Sequence, residues 1–338
     1  MPFSMLDRGR LEEYMEFYQK VYPERKDAKE RFLWQCVKNP VLKDKNHPYV
    51  LLYYEGGNIV GQSILNPFMW HFRRKTYTDY FGIDWFLLEN YRGPIGSALA
   101  IKTIKERPHY FGIGFSEMAE KIWRHLGCRE IGKVKKFIWF RTPLITLNML
   151  KYYFVKYQGA KTRIKIPKRI MHKETEFLLA EDKGKIQWKE HPWKDTVEFS
   201  RNMEFIRWRF FESIKPYYFY ISSDKEKLAY FIVRESFTKG LHLLLLVDYR
   251  ISQGDTETFN SIIKVSKKIA KINKMNGIYT ASSHRFFDNI LKKNFFFDTR
   301  RDSLFLTNKK IDVPSNRIKK RDFTFVTMAD SDMEICMV

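Results

Sequence analysis

The chain has 338 residues and carries 61 lysines and arginines against 39 acidic residues, a formal net charge of +22. That length leads us to expect two domains, and 44% apolar residues are enough for a buried core, which excludes a disordered or fibrous chain. Three cysteines, Cys36, Cys128 and Cys336, stand far apart with no Cys-x-x-Cys pair and no Cys/His cluster at zinc spacing, so neither a disulfide scaffold nor a metal site is expected.

The excess positive charge has two readings. It favours an anionic partner such as CoA phosphates, a diphosphate-linked substrate, RNA or an acidic membrane surface, or it is a lysine-rich surface that is simply solvated. The first residues are charged and lack the apolar stretch of a signal peptide. The longest apolar run, residues 241–247, includes His242 and is too short to span a bilayer. A cytoplasmic protein without a transmembrane segment is expected, with peripheral membrane contact left open.

In chain order, two apolar runs at 49–54 and 59–65 flank Glu55-Gly56-Gly57-Asn58, which predicts a β-hairpin. A third strand is predicted over 78–88. Arg92-Gly93-Pro94-Ile95-Gly96 then makes a tight turn, and a helix is predicted from Ser97 to Lys105. Glycines at a strand-to-helix turn let backbone N–H groups come close to a ligand. The free donors and partial positive charge of the new helix start suit a phosphate or pyrophosphate. A short aromatic strand at 110–115, a helix capped by Ser116 and closed by Gly127, and a long strand over 131–140 complete the first half.

Residues 151–171 hold seven basic residues and no acidic one, with Tyr152, Tyr153, Phe154 and Tyr157 interleaved. Basic plus aromatic suits nucleic acid or a membrane surface; a helix packing its aromatics and exposing its lysines gives the same pattern. The element order then recurs. Strands at 217–221 and 228–234 flank a turn, a strand follows at 240–248, and a helix at 256–276 places Ile262, Val265, Ile269 and Ile272 on one stripe. A strand at 277–282, a helix at 286–293 and a last strand at 295–308 follow. The offset between Leu88 and Asp248 nearly equals that between Gly127 and Asn294, as two copies of one domain require.

The segment Tyr91-Arg92-Gly93-Pro94-Ile95-Gly96-Ser97-Ala98-Leu99, with the strand before it and Trp123-Arg124-His125-Leu126-Gly127-Cys128 after it, resembles the acyl-CoA pyrophosphate loop and its surroundings in the GNAT acyltransferase superfamily. The loop is one residue shorter than the family's, lacks its middle glycine, and has in Pro94 a residue without an N–H. Trp123 stands where many members keep a tyrosine that protonates the leaving thiolate, and an indole is no acid at neutral pH. Residues 205–210 with Lys215-Pro216-Tyr217-Tyr218, and the tail around Thr327, Asp330 and Asp332, resemble tandem GNAT-like proteins associated with bacterial surface-polysaccharide biosynthesis.

The resemblance implies an α/β (α+β) fold of two tandem GNAT-like domains, each a mixed, mostly antiparallel sheet flanked by helices. The boundaries are 1–145 for an acyl-CoA-binding domain, 146–171 for a basic aromatic linker, 172–310 for a degenerate second domain without the paired glycines, and 311–338 for an extension. It implies an acyl-CoA-dependent N- or O-acyltransferase, with acetyl-CoA or another acyl-CoA as co-substrate and an amino sugar, related glycan precursor or amine as acceptor. On the donor side it places Arg92, Gly93, Ile95, Gly96 and Ser97 at the pyrophosphate, backbone N–H groups near Leu87 and Leu88 at the acyl carbonyl, and Ser116 and Trp123 beside them. Asp84 or Asp79 would take the acceptor proton. Side chains alternate along a strand, so one of the two need not face the cleft, and either can instead pair with a lysine. Arg207 and Arg209 can grip an anionic group of the acceptor, or serve as surface ion-pair partners around a core Trp208. Asp330 and Asp332 can bind its hydroxyls or amine, or form a frayed acidic tail. Two alternatives stay open. One is an aminoacyl-tRNA-dependent peptidoglycan ligase, which the basic linker suits; the other is a catalytically degenerate binding protein, which Pro94 and Trp123 suit.

Overall fold

The computed structural model describes residues 2–107, 109–142, 152, 154, 164–181, 186, 188–224, 226–314 and 321–331. Asp332 and most of the basic linker lie outside the described residues. The first half runs β1 (Phe3–Met5), α1 (Leu11–Val21), α2 (Ala28–Phe32), a π-helical turn at Leu33–Val37, β2 (Val50–Glu55), β3 (Asn58–Phe72), β4 (Lys75–Leu87), α3 (Pro94–Glu106), β5 (Tyr110–Ile113), α4 (Glu117–His125) and β6 (Arg129–Phe140). Then come β7 (Arg169–His172), β8 (Thr175–Leu179), β9 (Val197–Phe199), α5 (Met203–Ile206), a second π-helical turn at Arg207–Phe211, β10 (Tyr218–Ser222), β11 (Tyr230–Thr238) and β12 (Leu241–Arg250). The chain ends with α6 (Thr256–Ile272), β13 (Gly277–Ser282), α7 (Arg285–Lys293), β14 (Phe297–Asp298), β15 (Ser303–Thr307) and β16 (Thr324–Phe325).

The expected mixed α/β architecture is present: a large, mostly antiparallel sheet flanked by helices. Two pairs in it are parallel within the main run of strands, β4 with β5 and β12 with β13. The sheet does not stop between the halves. Among the described residues all sixteen strands join in one sheet. The first part of β6, Arg129–Val134, pairs with β15, and the second part, Lys135–Phe140, pairs with β13. In return β15 inserts between β5 and β6, while β14 lies against Phe137 and Ile138 of β6. The halves thus exchange their last strands. This is why the single strand expected over 295–308 is two: β14 and β15 follow the same edge of β6, opposite β13, and a short break between them holds Arg300 at φ 56.

Local signals hold elsewhere. Gly56 and Gly57 take φ of 55 and 82 in the first hairpin turn, conformations a Cβ resists. Ser116 accepts from the Ala119 N–H, and Gly127 closes α4 at φ 88. The helix after the glycine loop begins three residues earlier than expected, at Pro94, whose missing N–H costs nothing at a first helical position. On α6, Ile262, Val265 and Ile269 are buried as the stripe predicts, but Ile272 is 51% exposed because the helix ends there, past the edge of the core.

Candidate active site

β4 and β5 pair only at Tyr80–Tyr110 and Phe81–Phe111, and beyond Phe81 they part. Gly82 allows this arrangement. A Cβ at that position would fall 2.2 Å from the Tyr110 hydroxyl, so only glycine lets the Tyr110 ring stand at the base of the gap. Trp123 of α4 covers that ring face to face, 4.0 Å between centroids and 4° from parallel.

Opposite Gln62 and Ile64 the register of β4 slips, and Asp84 in the slip takes φ 45. A β-bulge turns local backbone and side chains out of the regular pleat. α1 fixes this one from behind. Tyr14 donates to Gln62 Oε1 (2.9 Å), and Gln62 Nε2 donates to the Asp84 carbonyl (2.8 Å). One turn on, Tyr18 donates to Asp84 Oδ2 (2.8 Å), and Arg25 grips both carboxylate oxygens at 2.6 and 2.8 Å. Burial opposes ionisation of Asp84, but the Arg25 guanidinium and the Tyr18 hydroxyl outweigh it and hold the carboxyl below its usual range.

The splay opens a cleft of 780 Å³ whose walls include Asp84, Trp85, Leu87, Arg92, Gly93, Gly96, Ser97, Ser116 and Trp123. Eight of the residues expected on the donor side or as its base therefore share one cavity: Asp84, Leu87, Arg92, Gly93, Gly96, Ser97, Ser116 and Trp123. Leu88 and Ile95 stand just behind it. The Leu88 N–H is engaged by the Val60 carbonyl (2.9 Å), so alternation along β4 turns the Leu87 N–H to the other edge, toward the gap. The Ile95 side chain packs on Leu51, Leu87 and Leu99, while its backbone N–H lies in the first turn of α3. Gly93 caps that helix at φ 97, and nothing lies within 4 Å of where its Cβ would be. Ser97 N–H already bonds the Gly93 carbonyl (3.2 Å), which leaves the N–H groups of Ile95 and Gly96 as free donors at the positive end of the helix.

Asp79 is not in this cavity. It is buried beneath the parallel pair, where it accepts from Trp70 Nε1 (2.8 Å) and Lys309 Nζ (2.6 Å) and contacts His109 Nδ1 (3.0 Å).

A second, narrower pocket with an accessible volume of 70 Å³ meets the first across Phe81 and Ile83, which wall both. It lies where the halves join, between Trp34, Asn39, Asn66 and Phe68 on one side and Phe199, Asn202, Glu204, Trp208, Arg209 and Asp330 on the other. Of the expected acceptor residues, Arg209 and Asp330 reach this pocket, whereas Arg207 is exposed on the outer side of the π-helical turn. Arg209 donates to the carbonyls of Ala329 (3.2 Å) and Ser331 (3.3 Å) and to the Tyr217 hydroxyl (3.1 Å). Asp330 accepts from the Thr327 N–H (2.8 Å) and pairs with Arg201, which also holds Asp248 (2.8 and 3.3 Å). Burial outweighs Arg201 and Arg250 at Asp330 and raises its carboxyl. At Asp248 the two arginines win over burial and hold it at about 2.

Arg25, Asn66 and Trp34 were not among the expected site residues. Arg25 reaches Asp84 from a loop 59 residues away, and Asn66 sits within a strand pattern, so neither carries a local signal. Trp34 does have one: Leu33-Trp34-Gln35 matches Arg207-Trp208-Arg209 in place within the two halves.

Among the described residues no helix is long and apolar enough to cross a membrane, and no three His, Cys, Asp or Glu side chains are grouped to hold a metal ion. No family model matches the sequence, and no curated protein sequence matches it. Solved structures do match the fold. N-myristoyltransferase from Saccharomyces cerevisiae, solved with bound myristoyl-CoA, superposes with a TM-score of 0.58 at 15% identity, covering 95% of this chain and 88% of its own. GCN5-related N-acetyltransferases from Anabaena variabilis (TM-score 0.54, 11% identity, 90% and 71% coverage) and Kribbella flavida (TM-score 0.55, 11% identity, 90% and 70% coverage) are similar. At these identities the likeness establishes the fold, that of the GNAT acyltransferases, over nearly the whole chain.

Proposed function

We propose that this chain is an acyl-CoA-dependent acyltransferase that binds its donor in the splay between β4 and β5. One observation carries the reading: the 780 Å³ cleft runs from the glycine-lined start of α3 to the bulge of β4, so a phosphate site and a thioester site share one cavity. In this reading the N–H groups of Gly93, Ile95 and Gly96, with the Ser97 hydroxyl and Arg92 alongside, hold the pyrophosphate. The Leu87 N–H holds the acyl carbonyl and stabilises the oxyanion. Ser116 caps α4 and so fixes Trp123 beside the sulfur. Asp84 acts as a positioning residue that keeps the bulge in place, since Arg25 and Tyr18 already occupy its oxygens. The acceptor enters the second pocket and meets the thioester at Phe81 and Ile83. Glu204, at the mouth, makes no ion pair among the described residues and takes the amine proton. CoA thioesters place this activity in the cytoplasm. We propose further that the halves are copies of one unit, of which only the first keeps the glycine loop. Asp84 with Arg25 then corresponds to Asp248 with Arg201.

Calorimetric titration with CoA tests the reading. A Cβ at Gly96 would meet Leu87 and Trp85 at 3.8 Å, ordinary contact, so Gly96→Asp leaves the fold intact and places a carboxylate against the phosphates. One CoA per wild-type chain and none for the variant are expected. Equal affinity for both proteins would reduce the loop to a structural role, and no binding by the wild type would remove the donor altogether. The amino sugar expected from the tail motifs is one acceptor class; the lining of the second pocket favours another.

A further inference from the structure

We propose that the pocket between the halves takes a primary amine carried on a flat aromatic body, an arylalkylamine, and that Asn66 is the residue that recognises its nitrogen. Its use as an acceptor rests on the acyltransferase reading above; its binding does not. Asn66 lies on β3 directly opposite Phe81 and is only 8% exposed; among the described residues its side-chain amide makes no hydrogen bond, and the amide atoms keep access to the pocket. Amide side chains are bonded as a rule to protein or to water, so a pocket-facing amide without a protein partner holds water whose bonds a ligand must replace. Its neighbour Asn39 shows the rule kept: the amide donates to the Pro67 carbonyl (3.0 Å) and accepts from the Val41 N–H (2.9 Å). Asn66 faces the pocket with both functions open.

The rest of the wall selects the body of the ligand. Trp34, Phe68, Phe81, Phe199, Phe205 and Trp208 present ring faces and edges. A volume of 70 Å³ is room for roughly five to seven waters, the scale of a single ring system. No lysine lines the pocket, and Arg209 is engaged by two carbonyls and Tyr217, so an anionic group finds no cation reserved for it. Glu204 at the mouth attracts an ammonium instead. A sugar would bury several hydroxyls against walls that are largely aromatic, and an acyl chain would leave the Asn66 amide unpaired. In the reaction the amine lone pair attacks the thioester carbonyl carbon. The C–N bond forms and the C–S bond breaks, the amine gives up a proton, and the CoA thiolate takes one up.

Calorimetry on the full chain with tryptamine, glucosamine, acetyl-CoA and octanoyl-CoA, for wild type and Asn66→Leu, tests the proposal. Tryptamine is expected to bind once per chain and glucosamine not at all. Asn66→Leu should weaken tryptamine by about tenfold or more while its melting temperature stays equal or rises, because the variant removes a polar group that no other described residue bonds. A lower melting temperature with unchanged tryptamine affinity would make Asn66 structural and overturn the proposal. Binding of glucosamine in place of tryptamine, or competition of octanoyl-CoA but not acetyl-CoA with tryptamine, would assign the pocket to a sugar or to the acyl chain. Acetyl-CoA binding without tryptamine binding defeats this inference alone; tryptamine binding without acetyl-CoA binding upholds the pocket and defeats the acyltransferase reading.

Discussion

The indoles of Trp34 and Trp208 lie 5.4 Å apart and 24° from parallel, and each donates its N–H to the other's backbone carbonyl, at 2.9 and 2.8 Å. Both residues sit second in a π-helical turn, one in each half of the chain. A helix that ends there leaves its last carbonyls without intrahelical donors, and each turn satisfies the other's. The pair therefore ties the halves together at the wall of the second pocket. Trp34→Phe keeps the ring but strands the Trp208 carbonyl, which should cost about 1–3 kcal/mol. Trp34→Ala should cost about 3–5 kcal/mol. The double variant Trp34→Phe/Trp208→Phe should lose less than the sum of the single losses, since both report one contact. Urea midpoints decide this, and strictly additive losses would mean that the tryptophans act independently.

The bulge depends on Arg25 in a pH-sensitive way. Asp84 has a folded-state pKa below its unfolded value, so its contribution is present above the unfolded value and is lost as pH falls through the folded one. Arg25→Met leaves the buried carboxylate without its partner, and removal of one member of such a pair costs about 3–5 kcal/mol. In the variant, burial of Asp84 is opposed only by the Tyr18 hydroxyl and Arg31, so the carboxyl is no longer held down as in the wild type and protonation at low pH relieves the penalty. The stability gap between variant and wild type should therefore be wide at pH 7 and narrower at pH 4. A gap independent of pH would show that Arg25 contributes through packing alone.

What the sequence discloses depends on distance along the chain. Gly56-Gly57, Ser116 and Gly127 act on their immediate neighbours, and the structure has them where the local chemistry requires. The glycine loop was legible for the same reason, as was the stripe on α6. The insertion of β15 between β5 and β6 was not, because a strand's residues show that it is extended and half-buried but not which strand it will pair with. Residues 295–308 read as one strand whatever they pair with. Arg25 and Asn66 were silent too: a charged loop residue and an asparagine in a strand become informative only once Asp84 and Phe81 stand beside them.

A second pH effect has the opposite sign. Glu198 is buried where β3, β9 and β16 meet, and desolvation pushes its carboxyl up to about 7 despite Arg250 and the Trp193 N–H. A folded pKa above the unfolded one means that the native state keeps a proton the unfolded chain has released. Stability must then fall as pH rises from the ordinary glutamate range to about 7, and level off above it. Glu198→Gln, neutral throughout, should flatten that decline and unfold later than wild type at pH 8. Parallel stability curves for the two proteins between pH 4 and 8 would exclude Glu198 as the source.

Trp123 tests the donor side most directly. Its indole is 1% exposed, and among the described residues neither its N–H nor that of Trp85, 6.0 Å away between ring centroids, has a hydrogen-bond partner. Two orphaned donors on one cleft are a cost to the empty protein that a bound thioester can offset. An indole cannot release its proton at neutral pH, so it can stabilise charge building on the sulfur or carbonyl oxygen but cannot neutralise it. Solvent must then protonate the departing thiolate. Trp123→Phe keeps the stack on Tyr110 and removes only the N–H. It should lower kcat by about 10- to 100-fold, leave CoA affinity and the shape of the pH–rate profile unchanged, and not lower the melting temperature. Unaltered kcat in a folded variant would return Trp123 to a packing role. A change in profile shape would mean that a titrating group, and not the indole, serves the leaving sulfur.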